Sequence, residues 1–359
     1  MLFAETSTGQ GIYYANGGQA LAIAESGHVE VDSGQRLRFV SFSQHPTVNQ
    51  RQEIAFAVRF QEGSAVLTRS GAFGEYRWVA SSVEAFRDFG DYIAINSTSQ
   101  VAFSATVDPP GHPDRSDFGK VRLEQAENPE NPLDLEAPSR RTAQGVSRKH
   151  HEGVFLDQND NLFVLGGTGE EFLDLEPGLD LNDRGDVAYL ATAPDGKLQV
   201  VADTEASEPQ ILARAGFVYQ TFGPPSLNDQ GHAAFYAEDL KKRARILWTM
   251  AGAAVPTVIA EEGEEYAGFS RGVALSDMGT IAFVAQDKEG GKPSLVAVVP
   301  SSLRTQSLRN VELSHEDAVH GDPIVAIEIG PRALAGLQSI VAKVRLQSGA
   351  EKIVQVPLQ

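Results

Sequence analysis

Apolar positions in this chain fall in short runs rather than along helical faces, and one run returns repeatedly. It reads LNDQGHAAFYA from Leu227, LNDRGDVAYLA from Leu181, LSDMGTIAFVA from Leu275, INSTSQVAFSA from Ile95 and VNQRQEIAFAV from Val48. A truncated copy opens the chain at Leu2-Phe3-Ala4, and a degenerate one, LAGLQSIVAKV, starts at Leu334. The phenylalanine-equivalent positions are 3, 56, 103, 189, 235, 283 and 342, a spacing of about 47 residues broken by one interval of 86 between 103 and 189. A second apolar strand follows each copy, as in AVLTRSG from Ala65 or RILWTMAG from Arg245. A third follows in several repeats, as in LFVLGGTG from Leu162 and VIAEEG from Val258. The fourth is a looser aromatic stretch, such as RLRFVSF from Arg36 or FVYQTFG from Phe217, which leads into the next Asn turn. Short strands rich in Val, Ile, Phe and Tyr, separated by Gly, Asn and Asp and lacking any 3.6-residue period, predict an all-β chain. Four strands in one such period are the size of a propeller blade.

Backbone chemistry explains the turn residues. An Asn or Asp at the first turn position accepts hydrogen bonds from its own backbone two residues on, and Gly supplies the positive φ that the hairpin needs. Ala and Phe alternate faces along the strand, so one is expected to meet each neighbouring blade, with Ala small because something packs closely on it. A calcium-loop reading of Asn-Asp-x-Gly is disfavoured. Such a loop needs several oxygen ligands at regular spacing, these copies offer two, and Ser99 and Gln52 replace the glycine in two of them.

The motifs Asn228-x-x-Gly231-x-x-Ala234-Phe235, Asn182-x-x-Gly185-x-x-Ala188-Tyr189 and the weaker Asn96 with Ala102-Phe103 resemble the bacterial tandem repeat of formula N-x-x-G-x-x-A-F. The resemblance spans most of the chain. It implies a β-propeller and export, from a signal peptide and surface-anchoring tail in most members, and it carries no catalytic residue. The expectation is a single domain over residues 1–359 with seven four-stranded blades, or six if the last hairpin completes the first blade. The chain starts as if in mid-strand, so a leader and part of the first repeat are expected to precede it.

The long interval holds an insertion over residues 108–152. Six prolines between Pro109 and Pro138 prevent long regular elements in it, and its charges are segregated. Glu124, Glu127, Glu130, Asp134 and Glu136 form an acidic run, and Arg140, Arg141, Arg148 and Lys149 form a basic one. The two halves pair with each other in the plainer reading, and the basic residues form an anion-binding lip in the sharper one. His112, His150 and His151, with Asp114 and Glu152, supply the residue types of a divalent site or an acid–base pair. No His-x-x-x-His or His-Glu-x-x-His spacing accompanies them, so no metal and no cofactor is assigned. The run Glu261-Glu262-Gly263-Glu264-Glu265 occupies a repeat-equivalent turn and reads as a solvated edge.

Composition narrows the function classes. The 359 residues carry 30 Lys and Arg against 48 Asp and Glu, a net charge of −18, which repels phosphate backbones and anionic lipid. No stretch approaches a membrane span. There is no cysteine, hence no disulfide, thiolate metal site or Cys nucleophile. The first functional expectation is a non-enzymatic monomeric module that binds a protein or glycan at the cell exterior or in the periplasm, with Arg140, Arg141, Arg148 and Lys149 as ligand contacts. The alternatives are a cytoplasmic location and, in chemistry, a lyase or hydrolase acting on an anionic polysaccharide. Such an enzyme would use His150 or His151 as base, Tyr189 as acid and the same arginines against the substrate carboxylate.

Overall fold

The structure is a computed structural model that describes residues 2–357 apart from 108–140, 143–151, 299–317 and shorter stretches of one to four residues. Every regular element among the described residues is a strand, as the apolar pattern predicts. The strands form seven antiparallel sheets in chain order, and each sheet contains one copy of the Ala-Phe strand. The third sheet is representative: Phe86–Ile95, Val101–Val107, Glu152–Gln158 and Asn161–Gly167 pair in succession. The fourth runs Asp174–Leu181, Val187–Thr192, Leu198–Thr204 and Ser207–Arg214. The fifth runs Tyr219–Phe222, His232–Asp239, Ala244–Met250 and Thr257–Glu261, with Ser226–Leu227 on the His232–Asp239 strand. The first sheet has three strands, Leu2–Thr6, Gly9–Ala15 and Ala20–Glu25, and so does the sixth, Tyr266–Leu275, Ile281–Asp287 and Pro293–Val298. Seven four-stranded sheets are therefore not formed among the described residues. Contacts divide the chain into two compact units, Met1–Pro177 with Glu205–Glu208, and Gly178–Thr204 with Pro209–Gln359.

Within each unit, apolar clusters lie between consecutive sheets, and the Ala-Phe pair builds them. Phe56 packs in one cluster with Ile12 and Ile23 of the preceding sheet, while its neighbour Ala55 belongs to the next cluster, with Phe103 and Phe155 of the following sheet. The second unit repeats the arrangement. Ala188 shares a cluster with Phe235, and Ala234 shares one with Phe283. The alanines Ala55, Ala102, Ala188, Ala234 and Ala282 and the rings Phe56, Phe103, Phe235 and Phe283 are all 0% exposed. Each ring removes enough surface from water to be worth about 1.5–3 kcal/mol, and the small alanine leaves room for the ring of the next repeat.

The Asn turn has a second function that its local chemistry does not announce. Asn182 Oδ1 accepts from Arg184 N–H at 3.0 Å and Asp186 N–H at 2.9 Å, and Asn228 Oδ1 accepts from Gln230 N–H at 3.1 Å and His232 N–H at 2.9 Å. The Nδ2 group reaches onward. Asn182 donates to the carbonyl of Asn228 at 3.0 Å, Asn228 to that of Ser276 at 3.1 Å, and in the first unit Asn49 to that of Asn96 at 2.8 Å. One side chain thus closes its own turn and fastens the turn of the next repeat. The glycine position takes a positive φ in every copy that has one, including 77° at Gly231, and Gln52 at 62° and Ser99 at 67° adopt it as well.

Candidate functional site

Most of the residues singled out in the sequence, His150, His151, Arg140, Arg148 and Lys149, lie outside the described residues, as do His112 and Asp114. Within the insertion, Arg141–Thr142 forms a short strand on the edge of the third sheet, with Arg141 opposite Val164 and Thr142 opposite Phe163. Tyr189 lies in Val187–Thr192 opposite Val201 and is 1% exposed, so its ring is part of the interior. Glu152 is half-buried. Burial raises its pKa, and Asp174, through charge and a hydrogen bond, raises it further. Among the described residues no group of three or more His, Asp or Glu is arranged to hold a metal ion.

The glutamate run at 261–265 is not simply a solvated edge, because its first two members serve the fifth sheet. Glu262 Oε2 accepts from Ala244 N–H at 2.9 Å, and Glu261 Oε1 lies 2.6 Å from Arg243 Nη1 and 2.9 Å from Arg245 Nη2. These arginines belong to Asp239-Leu240-Lys241-Lys242-Arg243-Ala244-Arg245, the turn between His232–Asp239 and Ala244–Met250. Sequence reading treated the insertion as the place of the concentrated basic run and passed over this one, although four cations stand in residues 241–245. Asp239 organises the turn. Its Oδ1 accepts from Lys241 N–H at 2.8 Å and Arg243 N–H at 3.0 Å, and its Oδ2 pairs with Arg243 at 2.9 Å and Arg245 at 3.3 Å. Burial by itself would raise the Asp239 pKa, but these hydrogen bonds and the Arg243 charge outweigh it and hold the carboxyl below its ordinary value.

Two carboxylates therefore match two arginines, and the lysines are left over. Lys241 and Lys242 are exposed and make no ion pair with any described residue. Lys242 is also held at φ 62°. The equivalent turn of the fourth sheet, closed by Ala193 N–H to Lys197 C=O at 2.9 Å, places Gly196 there at φ 78°, and that of the seventh places Gly349 at 88°. For a residue with a Cβ this conformation costs about 1–2 kcal/mol.

A second turn, Arg214 to Tyr219, runs alongside. Leu240 N–H donates to the Val218 carbonyl at 3.1 Å, which joins the two turns backbone to backbone. Phe217 at its tip is 84% exposed, Val218 48% and Leu240 56%. Lys197 Nζ lies 5.6 Å from the centre of the Phe217 ring, and Asp195 holds both Arg214, at 2.7 Å, and Lys197, at 3.5 Å. The result is an open aromatic and aliphatic platform bordered by Lys197 and Arg214 in the fourth sheet and by Lys241, Lys242 and Arg243 in the fifth.

A family model described as "Family of unknown function (DUF7453)" matches residues 137–294, a stretch that includes both turns. It covers less than half of the chain, and the stretch it matches contains the Asn182 and Asn228 copies of the N-x-x-G-x-x-A-F motif. No curated protein matches the sequence. Among solved structures, the BP39L lectin from Burkholderia pseudomallei is similar over 99% of this chain and 91% of its own, at 10% identity and a TM-score of 0.50. The SapL1 lectin, solved in complex with alpha methyl fucoside, covers 89% of this chain and 97% of its own at 8% identity and a TM-score of 0.43. The Aleuria aurantia lectin, described as a six-bladed β-propeller with a novel fucose recognition mode, covers 91% and 89% at 10% identity and a TM-score of 0.38. At such identities the likeness concerns the fold, an all-β β-propeller. The expectation of seven four-stranded blades is not supported: among the described residues the first and sixth sheets have three strands each.

Proposed function

We propose that the protein is a non-enzymatic propeller module that binds a glycan through the platform around Phe217. The observation that carries this reading is an aromatic ring 84% exposed at a turn tip, flanked by charged side chains held in place by ion pairs. A pyranose presents a C–H face that packs on an aromatic ring, and hydroxyls that bond to forked donors and acceptors around it. Loops carried on a rigid β scaffold suit such recognition. The likeness in fold to the Burkholderia pseudomallei lectin agrees with this reading. A glycan ligand also fits a protein working at the cell exterior or in the periplasm. Screening the purified protein on an array of neutral and acidic glycans, followed by calorimetry, tests the proposal. The expected result is a saturable hit whose affinity falls at least tenfold in Phe217→Ala while the melting temperature stays unchanged. An array without binding, or a hit indifferent to Phe217→Ala, overturns it.

A further inference from the structure

We infer that Lys241 and Lys242 make this platform selective for an anionic glycan, one bearing carboxylate or sulfate groups; the inference rests on the glycan-binding reading above. The charge inventory of the two turns is lopsided. Asp195 answers Arg214 and Lys197, Asp239 and Glu261 answer Arg243 and Arg245, Glu262 is engaged by the Ala244 N–H, and neither lysine makes an ion pair with a described residue. On a chain of net charge −18 such a surplus does not serve solubility, since it reduces the net charge, and it creates one local attraction for anions within a repelling field.

The backbone supplies an independent observation. Lys242 occupies the left-handed position that Gly196 and Gly349 fill in the equivalent turns. Glycine is the residue that this turn accepts without strain, and the fifth sheet carries a charged side chain there instead. Gln52 and Ser99 take the same conformation within Asn turns, and Lys242 differs from them in presenting an exposed charged side chain at the tip of the opposite turn. The lysine stems start from a turn bonded directly, through Leu240 and Val218, to the one that bears Phe217, so the lysines and the ring stand on adjoining turns.

The test separates side chain from backbone. Lys242→Gly and Lys242→Asn both suit a positive φ, so both variants are expected to melt no lower than the parent. Calorimetry uses three probes of equal length: an oligogalacturonate, a sulfated galactan oligosaccharide and an uncharged galactan oligosaccharide. The parent is expected to bind at least one acidic probe more tightly than the neutral one, and the first two arms distinguish carboxylate from sulfate. Each lysine variant is expected to lose about fivefold in affinity for the acidic probe only, as removal of one close surface charge implies. Phe217→Ala is expected to weaken acidic and neutral probes alike. Equal binding of acidic and neutral probes, unaffected by the lysine variants, overturns the anionic selectivity and leaves glycan binding standing. Failure of all three probes, with no glycan hit on the array, overturns both. Binding of a single-stranded oligonucleotide as tight as that of the acidic sugar overturns the selectivity in favour of a general anion patch.

Discussion

At the scale of single residues, the turn asparagine is the most informative side chain in the chain. Its local role could be read directly, since Asn before a Gly two or three residues on is a turn signal with a known mechanism. Its longer role could not. The bond from Asn228 to Ser276 joins residues 48 apart, and only the stacking of successive sheets brings them together. Replacing Asn228 by Ala removes acceptance from two N–H groups and leaves the Ser276 carbonyl without this donor. Urea unfolding is expected to register a loss of about 2 kcal/mol. Asn228→Ser should fall between parent and Ala, because Ser276 Oγ in the next repeat accepts from Thr280 N–H at 3.0 Å and so keeps part of the same turn. The glycine position was legible as a conformational requirement, and Gln52 and Ser99 meet that requirement despite their side chains.

At the scale of elements, the alternation of Ala and Phe foretold that both faces of one strand would be buried, and Ala234 and Phe235, neighbours on one strand in two different clusters, bear this out. The site was far less legible. Its two turns are ordinary connections in the repeat alignment, and their adjacency follows from the pairing of Tyr219 with Asp239 in the fifth sheet, extended by the bond between Leu240 and Val218. The basic run at 241–245 was visible in the sequence, but nothing there distinguished its paired arginines from its unpaired lysines. The carboxyl that pairs them gives this turn a pH signature. Asp239 has its pKa lowered in the folded state, so its contribution is complete above the ordinary carboxylate value of about 3.9 and is lost as pH falls from there through the folded value. Melting curves from pH 6 down to pH 3 should therefore show a steeper acid decline in the parent than in Asp239→Asn, which should be less stable at pH 7 and flatter below pH 4. Parallel curves would refute this account of the turn.

At the scale of the whole molecule, charge acts in two opposite ways. The net −18 is a self-repulsion that salt screens, whereas the attraction of Lys241 and Lys242 for an acidic ligand is a gain that salt also screens. Raising ionic strength from about 0.01 to 0.15 M shortens the Debye length from roughly 30 to 8 Å. Over that range the melting temperature is expected to rise and affinity for the acidic oligosaccharide to fall, as read by calorimetry in both cases. The period of the sequence made the β class and the succession of sheets readable at this scale. The blade count was not readable, because a copy of the motif marks a strand and does not specify how many partners that strand acquires.

The links from the Asn49, Asn182 and Asn228 turns to the next turn end on a main-chain oxygen, so the acceptor is the same whatever residue follows. Asn228 fastens to a serine as readily as Asn182 fastens to an asparagine. A coupling that ignores the identity of its receiver tolerates duplication and exchange of whole repeats, because a newly copied unit arrives already fitted to its neighbours. Divergence can then proceed in the opposite turns, where Lys242 and Gly196 differ, without disturbing the joint.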